Sequence, residues 1–195
     1  MLKIFKNLIL KNSNSKSFLT YLIGTLFIAG ISFVSTPIFT RVLSITDYGI
    51  LSVYQTWVNI YAVFIGFQVS GSITTARVHL TADKFERFLK SIIVLSLIGF
   101  VLVSIITLLF QDSLAILFQI ESKLIPFMII HAFGLSCATF YLTFTVQTRQ
   151  AKKNAVFAVI VALLSISISI LLILNMDNDK FMGRIIGNST VYFAV

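Results

Sequence analysis

Three arginines are the residues of this sequence best suited to binding an anion. Arg41, Arg77 and Arg184 each lie close to the end of a long apolar stretch. A guanidinium can bind phosphate through two parallel, charge-assisted hydrogen bonds. All three are therefore candidate contacts for an anionic group such as phosphate. The alternative is that each arginine only anchors a helix at the lipid headgroups or sets its orientation.

Polar side chains interrupt the second apolar stretch and could bond hydroxyl groups of a ligand. They are Gln55, Asn59 and Gln68. Gln55 and Asn59 are four residues apart, so a helix places them on the same face. They would line a polar cavity together, or they would make the hydrogen bonds between helices that are common in membrane bundles. The sequence leaves both interpretations open.

Two further residues with reactive side chains lie in the fourth apolar stretch. His131 is a candidate for carrying a proton in an ion-coupled cycle, because ionisable groups inside membranes often have a function. The alternative, which its position near the start of the stretch favours, is a hydrogen-bonded histidine close to the membrane interface. Cys137 is the single cysteine. It cannot form an intrachain disulfide, and we expect it to be a small packing residue.

Enzyme signatures are missing from the sequence. There is no glycine-rich phosphate loop, no pair of acidic residues within an apolar stretch, and no His/Cys set with metal-ligand spacing. We therefore predict no catalytic residues, no metal site and no cofactor.

The composition indicates a membrane protein. Hydrophobic residues make up 57% of the chain and charged residues 11%, against about 25% charged residues in a typical soluble domain. Long apolar runs without strict alternation favour helices and exclude a barrel. The predicted fold class is all-α and polytopic. The net charge of +8 does not indicate nucleic acid here, because the basic residues cluster between apolar stretches.

Six membrane spans are predicted behind a short amphipathic segment. Residues 1–16 alternate lysines with apolar residues and are expected to lie on the cytoplasmic membrane surface, held by anionic lipid. The rest, 17–195, forms one transmembrane lobe. A span needs about 20 apolar residues, so the last stretch is expected to be an incomplete helix. The predicted spans are 17–39, 48–72, 88–110, 124–146, 154–174 and 183–195.

The distribution of basic residues predicts that the N-terminus is cytoplasmic. With this orientation, eleven of the 15 Lys and Arg residues lie in cytoplasmic segments, as the positive-inside rule requires. The eleven are Lys3, Lys6, Lys11, Lys16, Arg77, Lys84, Arg87, Lys90, Arg149, Lys152 and Lys153.

The connection between the first two spans has a distinctive pattern. We expect Pro37 to break the first helix, Asp47 to cap the second and Gly49 to open it. The pattern resembles the end of the first helix in Wzx-type polysaccharide flippases of the MOP superfamily. The Gly-Arg-Ile-Ile-Gly sequence at 183–187 is also similar to the start of their sixth helix. The residues that match the first pattern are Pro37, Arg41, Leu43, Asp47, Tyr48 and Gly49.

This resemblance implies a fold and a function. The fold would be the six-helix N-terminal lobe of a MATE-like transporter with two pseudo-symmetric lobes. The function would be to move undecaprenyl-diphosphate-linked oligosaccharide from the cytoplasmic to the periplasmic leaflet of the bacterial inner membrane, for export as O-antigen, capsule or exopolysaccharide. The polysaccharide polymerase and chain-length machinery are the implied partners. Family members are about twice as long, so this chain is expected to be one lobe.

Two alternatives belong to other classes. The chain could be a small six-span accessory subunit that works with a partner protein. It could also be an exporter of another MOP branch, such as a MATE-type drug or metabolite antiporter. The latter is expected to carry an acidic residue inside a span, and the apolar stretches contain none.

Overall fold

The computed structural model describes residues 13–67 and 69–194, and all regular structure in these ranges is helical. A short 3₁₀ turn, Ser122–Leu124, precedes the sixth α-helix. In chain order, the α-helices of the described ranges are α1 Ser13–Val42, α2 Ile45–Gly66, α3 Ser70–His79, α4 Ala82–Leu109, α5 Gln111–Phe118, α6 Ile125–Gln147, α7 Ala151–Leu174 and α8 Lys180–Ala194.

The fold is that of an all-α polytopic membrane protein. Many large apolar side chains on the long helices are exposed, which is expected where helices face lipid or another protein and not water. The expected sixth span corresponds to α8, which has 15 residues in the described range. The segments long and apolar enough to cross a bilayer are Ser17–Val42, Ile45–His79 (which includes α2 and α3), Ala82–Leu109, Ser122–Gln147 and Ala151–Leu174.

The C-terminal part of α1, around Pro37, differs from the prediction. The expected break is wrong, because α1 continues through Pro37 to Val42. Proline removes one backbone hydrogen bond, but a helix inside a membrane bundle tolerates this loss when the flanking turns are held by packing. Here Phe39 and Leu43 are buried in a cluster with Ile173 of α7. The Leu43 N–H also donates to the Phe39 carbonyl at 2.9 Å, so the last turn stays closed.

The second predicted span is interrupted. α2 ends at Gly66, and Phe67 then adopts a left-handed backbone conformation with φ of 46°. The segment after residue 72, which was expected to connect two spans, is helical up to His79 in α3. A short helix forms there because Ile73 and Ala76 are buried in a cluster with Phe85 and Ile92 of α4. The predicted span of 25 residues is therefore a 22-residue helix that is followed by a turn and a short helix.

Small residues bring α8 close to its neighbours. A Cβ atom on Gly134 of α6 would collide with the backbone carbonyl of Tyr192 in α8. A Cβ on Gly187 of α8 would lie 2.8 Å from the backbone nitrogen of Ser169 in α7. Close backbone approach at small residues drives helix association in lipid, where apolar burial contributes little between helices. These glycines therefore fix the position of α8 against α6 and α7.

Replacing Gly134 with alanine tests this packing. We expect Gly134→Ala to destabilise the protein by about 1–3 kcal/mol, the usual cost of overpacking, and to lower its thermal unfolding temperature in detergent. Gly30→Ala is the matched control, because a Cβ on Gly30 of α1 meets nothing within 4 Å. It should leave the unfolding temperature unchanged or raise it, since alanine favours a helix more than glycine does. Equal unfolding temperatures for the two variants would contradict the close contact.

Candidate functional site

The turn between α1 and α2 is fixed by a capping box. The Ser44 side chain accepts a hydrogen bond from the Asp47 N–H at 3.1 Å, and the Asp47 carboxylate accepts one from the Ser44 N–H at 2.9 Å. Asp47 therefore acts with Ser44 at the start of α2, and Ser44 is the capping residue itself. Gly49 does not open the helix as expected, because α2 already begins at Ile45.

A polar groove lies between the C-terminal half of α1, the first half of α2 and the start of α8. Its volume is ≈ 530 Å³, within the range of small-molecule sites. It contains residues that the sequence suggested separately, namely Gln55, Asn59, Tyr48 and Arg184. Serine, threonine and asparagine side chains supply the other polar groups of the wall: Ser32, Ser35, Thr36, Ser52, Thr56 and Asn188.

Arg184 is the cation of this groove. Its guanidinium carbon lies 4.2 Å from the centre of the Phe39 ring, and its Nη1 donates to the Ser169 hydroxyl at 3.3 Å. No carboxylate in residues 13–67 or 69–194 forms an ion pair with it. The stacked ring holds the guanidinium plane without neutralising its charge. An arginine with this arrangement has unused hydrogen-bond donors for an anion.

Lys123 is another cation, and it already has carboxylate partners. Its Nζ lies 2.7 Å from Glu121 and 3.4 Å from Asp179, and both carboxylates are exposed. The pair with Asp179 joins the connection before α6 to the connection before α8. Arg184 differs from Lys123 in having no carboxylate partner among the described residues.

Gln55 and Asn59 form the amide pair expected from their spacing. The Gln55 Nε2 donates to the Asn59 Oδ1 at 3.2 Å along α2. The bond uses one donor of Gln55 and one acceptor position of Asn59, so the pair keeps further donors and acceptors for a ligand. Both residues line the polar groove on the face of α2 next to α1.

The other candidate residues lie elsewhere. Arg41 is exposed and is not part of the groove wall; it follows Phe39 by two residues, about 200° around the helix. Arg77 is exposed on α3, with its guanidinium 5.4 Å from the centre of the Phe85 ring. Gln68 and residues 1–12 lie outside the described residues, so the amphipathic N-terminal segment remains largely an expectation.

His131 is buried behind the wall of the groove. Its side chain is 1% exposed, and its ring centre lies 5.1 Å from that of Tyr192. The Nδ1 atom is 3.5 Å from the hydroxyl of Tyr54, which lines the groove and is 3.2 Å from the Ser189 hydroxyl. The histidine is thus separated from the groove by a tyrosine. Cys137, expected to be a packing residue, is exposed and lies in the C-terminal half of α6.

Asn188 and Tyr54 are site residues that the sequence reasoning missed. Asn188 follows Arg184 by four residues, so a helix brings both to one face. Its side chain bonds the Ser165 hydroxyl of α7. The four-residue spacing from Arg184 is a signal that the sequence already contained. Tyr54 has no comparable signal, because its role depends on the packing of α2 against α6 and α8.

No metal site accompanies the groove. In the part of the chain that the structure describes, no three His, Cys, Asp or Glu side chains come close enough together to hold a metal ion. The groove can attract an anion through Arg184 and bond hydroxyl groups through amide and hydroxyl side chains.

Comparison with known proteins identifies one family. The family model described as "Polysaccharide biosynthesis protein" matches residues 15–194, which include α1 through α8 apart from the first residues of α1. The match therefore contains every residue of the polar groove. No curated protein and no solved structure matches the chain.

The capping box provides a test of the turn that positions α1 and α2. We expect Ser44→Ala to cost about 1 kcal/mol of stability, because a backbone N–H at the start of α2 loses its acceptor. Thermal unfolding in detergent would measure this. Ser52→Ala is the matched control, since Ser52 is exposed in the middle of the same helix. A larger effect of Ser52→Ala would contradict the assigned cap.

Proposed function

This chain belongs to the polysaccharide biosynthesis protein family, and we propose that it takes part in moving a lipid-linked oligosaccharide across a bacterial inner membrane. The substrate class is an oligosaccharide joined to a polyisoprenyl lipid through a diphosphate. The polar groove is the proposed contact for its phosphate and sugar groups. The protein acts as a flippase and not as an enzyme.

The observation that supports this proposal is the unpaired arginine in a groove lined by hydroxyl and amide groups. An ionisable side chain inside a membrane bundle is costly, and such residues often mark the path of an ion or a charged substrate. Arg184 is half-buried, and its donors face the same space as Gln55 and Asn59. A phosphate next to neutral sugars fits this combination.

The orientation of the groove follows from the distribution of basic residues. If the N-terminus is cytoplasmic, the α1–α2 turn and the start of α8 lie on the periplasmic side. The groove would then contact the substrate close to the periplasmic leaflet, from which a polymerase and its chain-length machinery take over the repeat units. Arg41 and Arg77 would meet the phosphate at other stages, at the periplasmic and cytoplasmic ends of the bundle respectively.

Substituting Arg184 tests the proposed role. We expect Arg184→Gln to reduce surface polysaccharide about tenfold or more, because charge-assisted hydrogen bonds contribute about 1.5–3 kcal/mol each. Arg184→Lys should retain part of the activity, because lysine keeps the positive charge but cannot form the bidentate hydrogen bonds of a guanidinium. Surface polysaccharide would be measured in cells that lack the native gene, with the variant's membrane level quantified by immunoblot.

Lys180→Gln is the matched control for that experiment. Lys180 lies one turn before Arg184 on the same helix and is not part of the groove wall. Its substitution removes one positive charge from the same end of the bundle, so it should leave export near the native level. Normal export by Arg184→Gln at a normal membrane level would overturn the role of Arg184.

The surroundings of His131 support packing over proton transfer. Its ring lies beside that of Tyr192 on α8, and its Nδ1 is 3.5 Å from the hydroxyl of Tyr54 on α2. Within residues 13–67 and 69–194, no carboxylate forms an ion pair with His131. We expect His131→Phe to keep most of the export activity and His131→Ala to lower both membrane level and unfolding temperature. Loss of export in stable His131→Phe protein would instead favour proton coupling.

A further inference from the structure

A second groove lies between α2, α4 and α6. Its volume is ≈ 520 Å³, and its wall is mostly apolar. Ile93 and Leu97 of α4 form one side and are about half exposed, so the groove opens sideways between the helices. The groove is also lined by Ala62, Val63 and Gly66 of α2 and by Phe140 of α6. We call it the apolar groove.

The two grooves meet at one residue on a face of α2. Asn59 lines both of them. The α2 residues of the polar groove include Ser52, Gln55 and Thr56, and those of the apolar groove are Ala62, Val63 and Gly66. These positions recur at intervals of three or four residues, which keeps them on a single helical stripe. A ligand lying along α2 would therefore pass from one groove into the other at Asn59.

We propose that the apolar groove holds the hydrocarbon chain of the same lipid whose anionic head binds at Arg184. The inference rests on the proposed function and adds the path of the lipid chain. A polar groove with an unpaired cation joined to an apolar groove matches an amphiphile with an anionic head. From Asn59 to Gly66, α2 rises about 10 Å, so the groove holds the first part of a long chain. The lateral opening lets the remainder extend into the bilayer.

A photoreactive lipid tests this path. The probe is a polyisoprenyl phosphate with a diazirine in the first third of its chain, added to the intact protein in lipid nanodiscs. After illumination, cross-linked peptides are identified by mass spectrometry. We expect cross-links at 92–97 and 133–140, the α4 and α6 walls of the groove. The same chain with an alcohol head should label these peptides several-fold less, because it lacks the charge that Arg184 attracts.

Two substitutions of adjacent residues on α4 provide the matched pair. Leu97 lines the apolar groove and is 46% exposed, whereas Ile98 is 50% exposed and lies outside its wall. Leu97→Trp fills the groove and should lower labelling of 133–140 several-fold. Ile98→Trp adds the same volume on the neighbouring surface and should leave that labelling unchanged.

Several results would overturn the proposal. Equal labelling by the phosphate and alcohol probes would mean that the groove contains bulk lipid. Labelling confined to other helices, or none in the groove, would mean that another part of the protein or a second copy covers it. In either case the proposed function survives if Arg184→Gln still lowers export. Conversely, Arg184→Gln could lose the labelling and still export polysaccharide normally. That result would support the lipid path and refute the role of Arg184 in export.

Discussion

The close approach of α8 to α6 and α7 is the contact on which the site depends. Between helices in lipid there is little gain from burying apolar surface, so shape and small residues decide which helices touch. Gly134, Gly183 and Gly187 allow backbone contact where any side chain would collide. Since Arg184 lies one residue after Gly183, the same contact that packs α8 also turns the guanidinium towards Phe39 and the polar groove.

This arrangement explains how an arginine is accommodated without a carboxylate partner. Its charge is stabilised by the face of the Phe39 ring and by the Ser169 hydroxyl, and the groove is open enough to admit water. A carboxylate beside it would lower the cost of the charge but would also occupy the donors that an anion needs. Lys123 illustrates the other outcome, because Glu121 and Asp179 occupy its donors and the pair with Asp179 joins two connections.

The sequence predicted the helical class and the local patterns but not the assembly of the site. Apolar stretches and the four-residue spacing of Gln55 and Asn59 are local features, and both are found as expected. The break at Phe67 and the short helix after it depend on burial of Ile73 and Ala76 against α4, which no local pattern reports. Likewise, the helix runs through Pro37 because tertiary contacts hold its last turn. Arg184 joins residues more than 120 positions earlier only through the packing of α8.

The face of α2 that lines both grooves changes character along the helix. An ordinary amphipathic helix is polar on one side and apolar on the other. Here a single stripe is polar from Ser52 to Asn59 and mostly apolar from Ala62 to Gly66. The stripe changes character where its neighbours change, from α1 and α8 at the polar groove to α4 and α6 at the apolar groove. It matches a molecule that is polar at one end and apolar at the other and that lies parallel to the helix, which is the shape of a lipid in a bilayer.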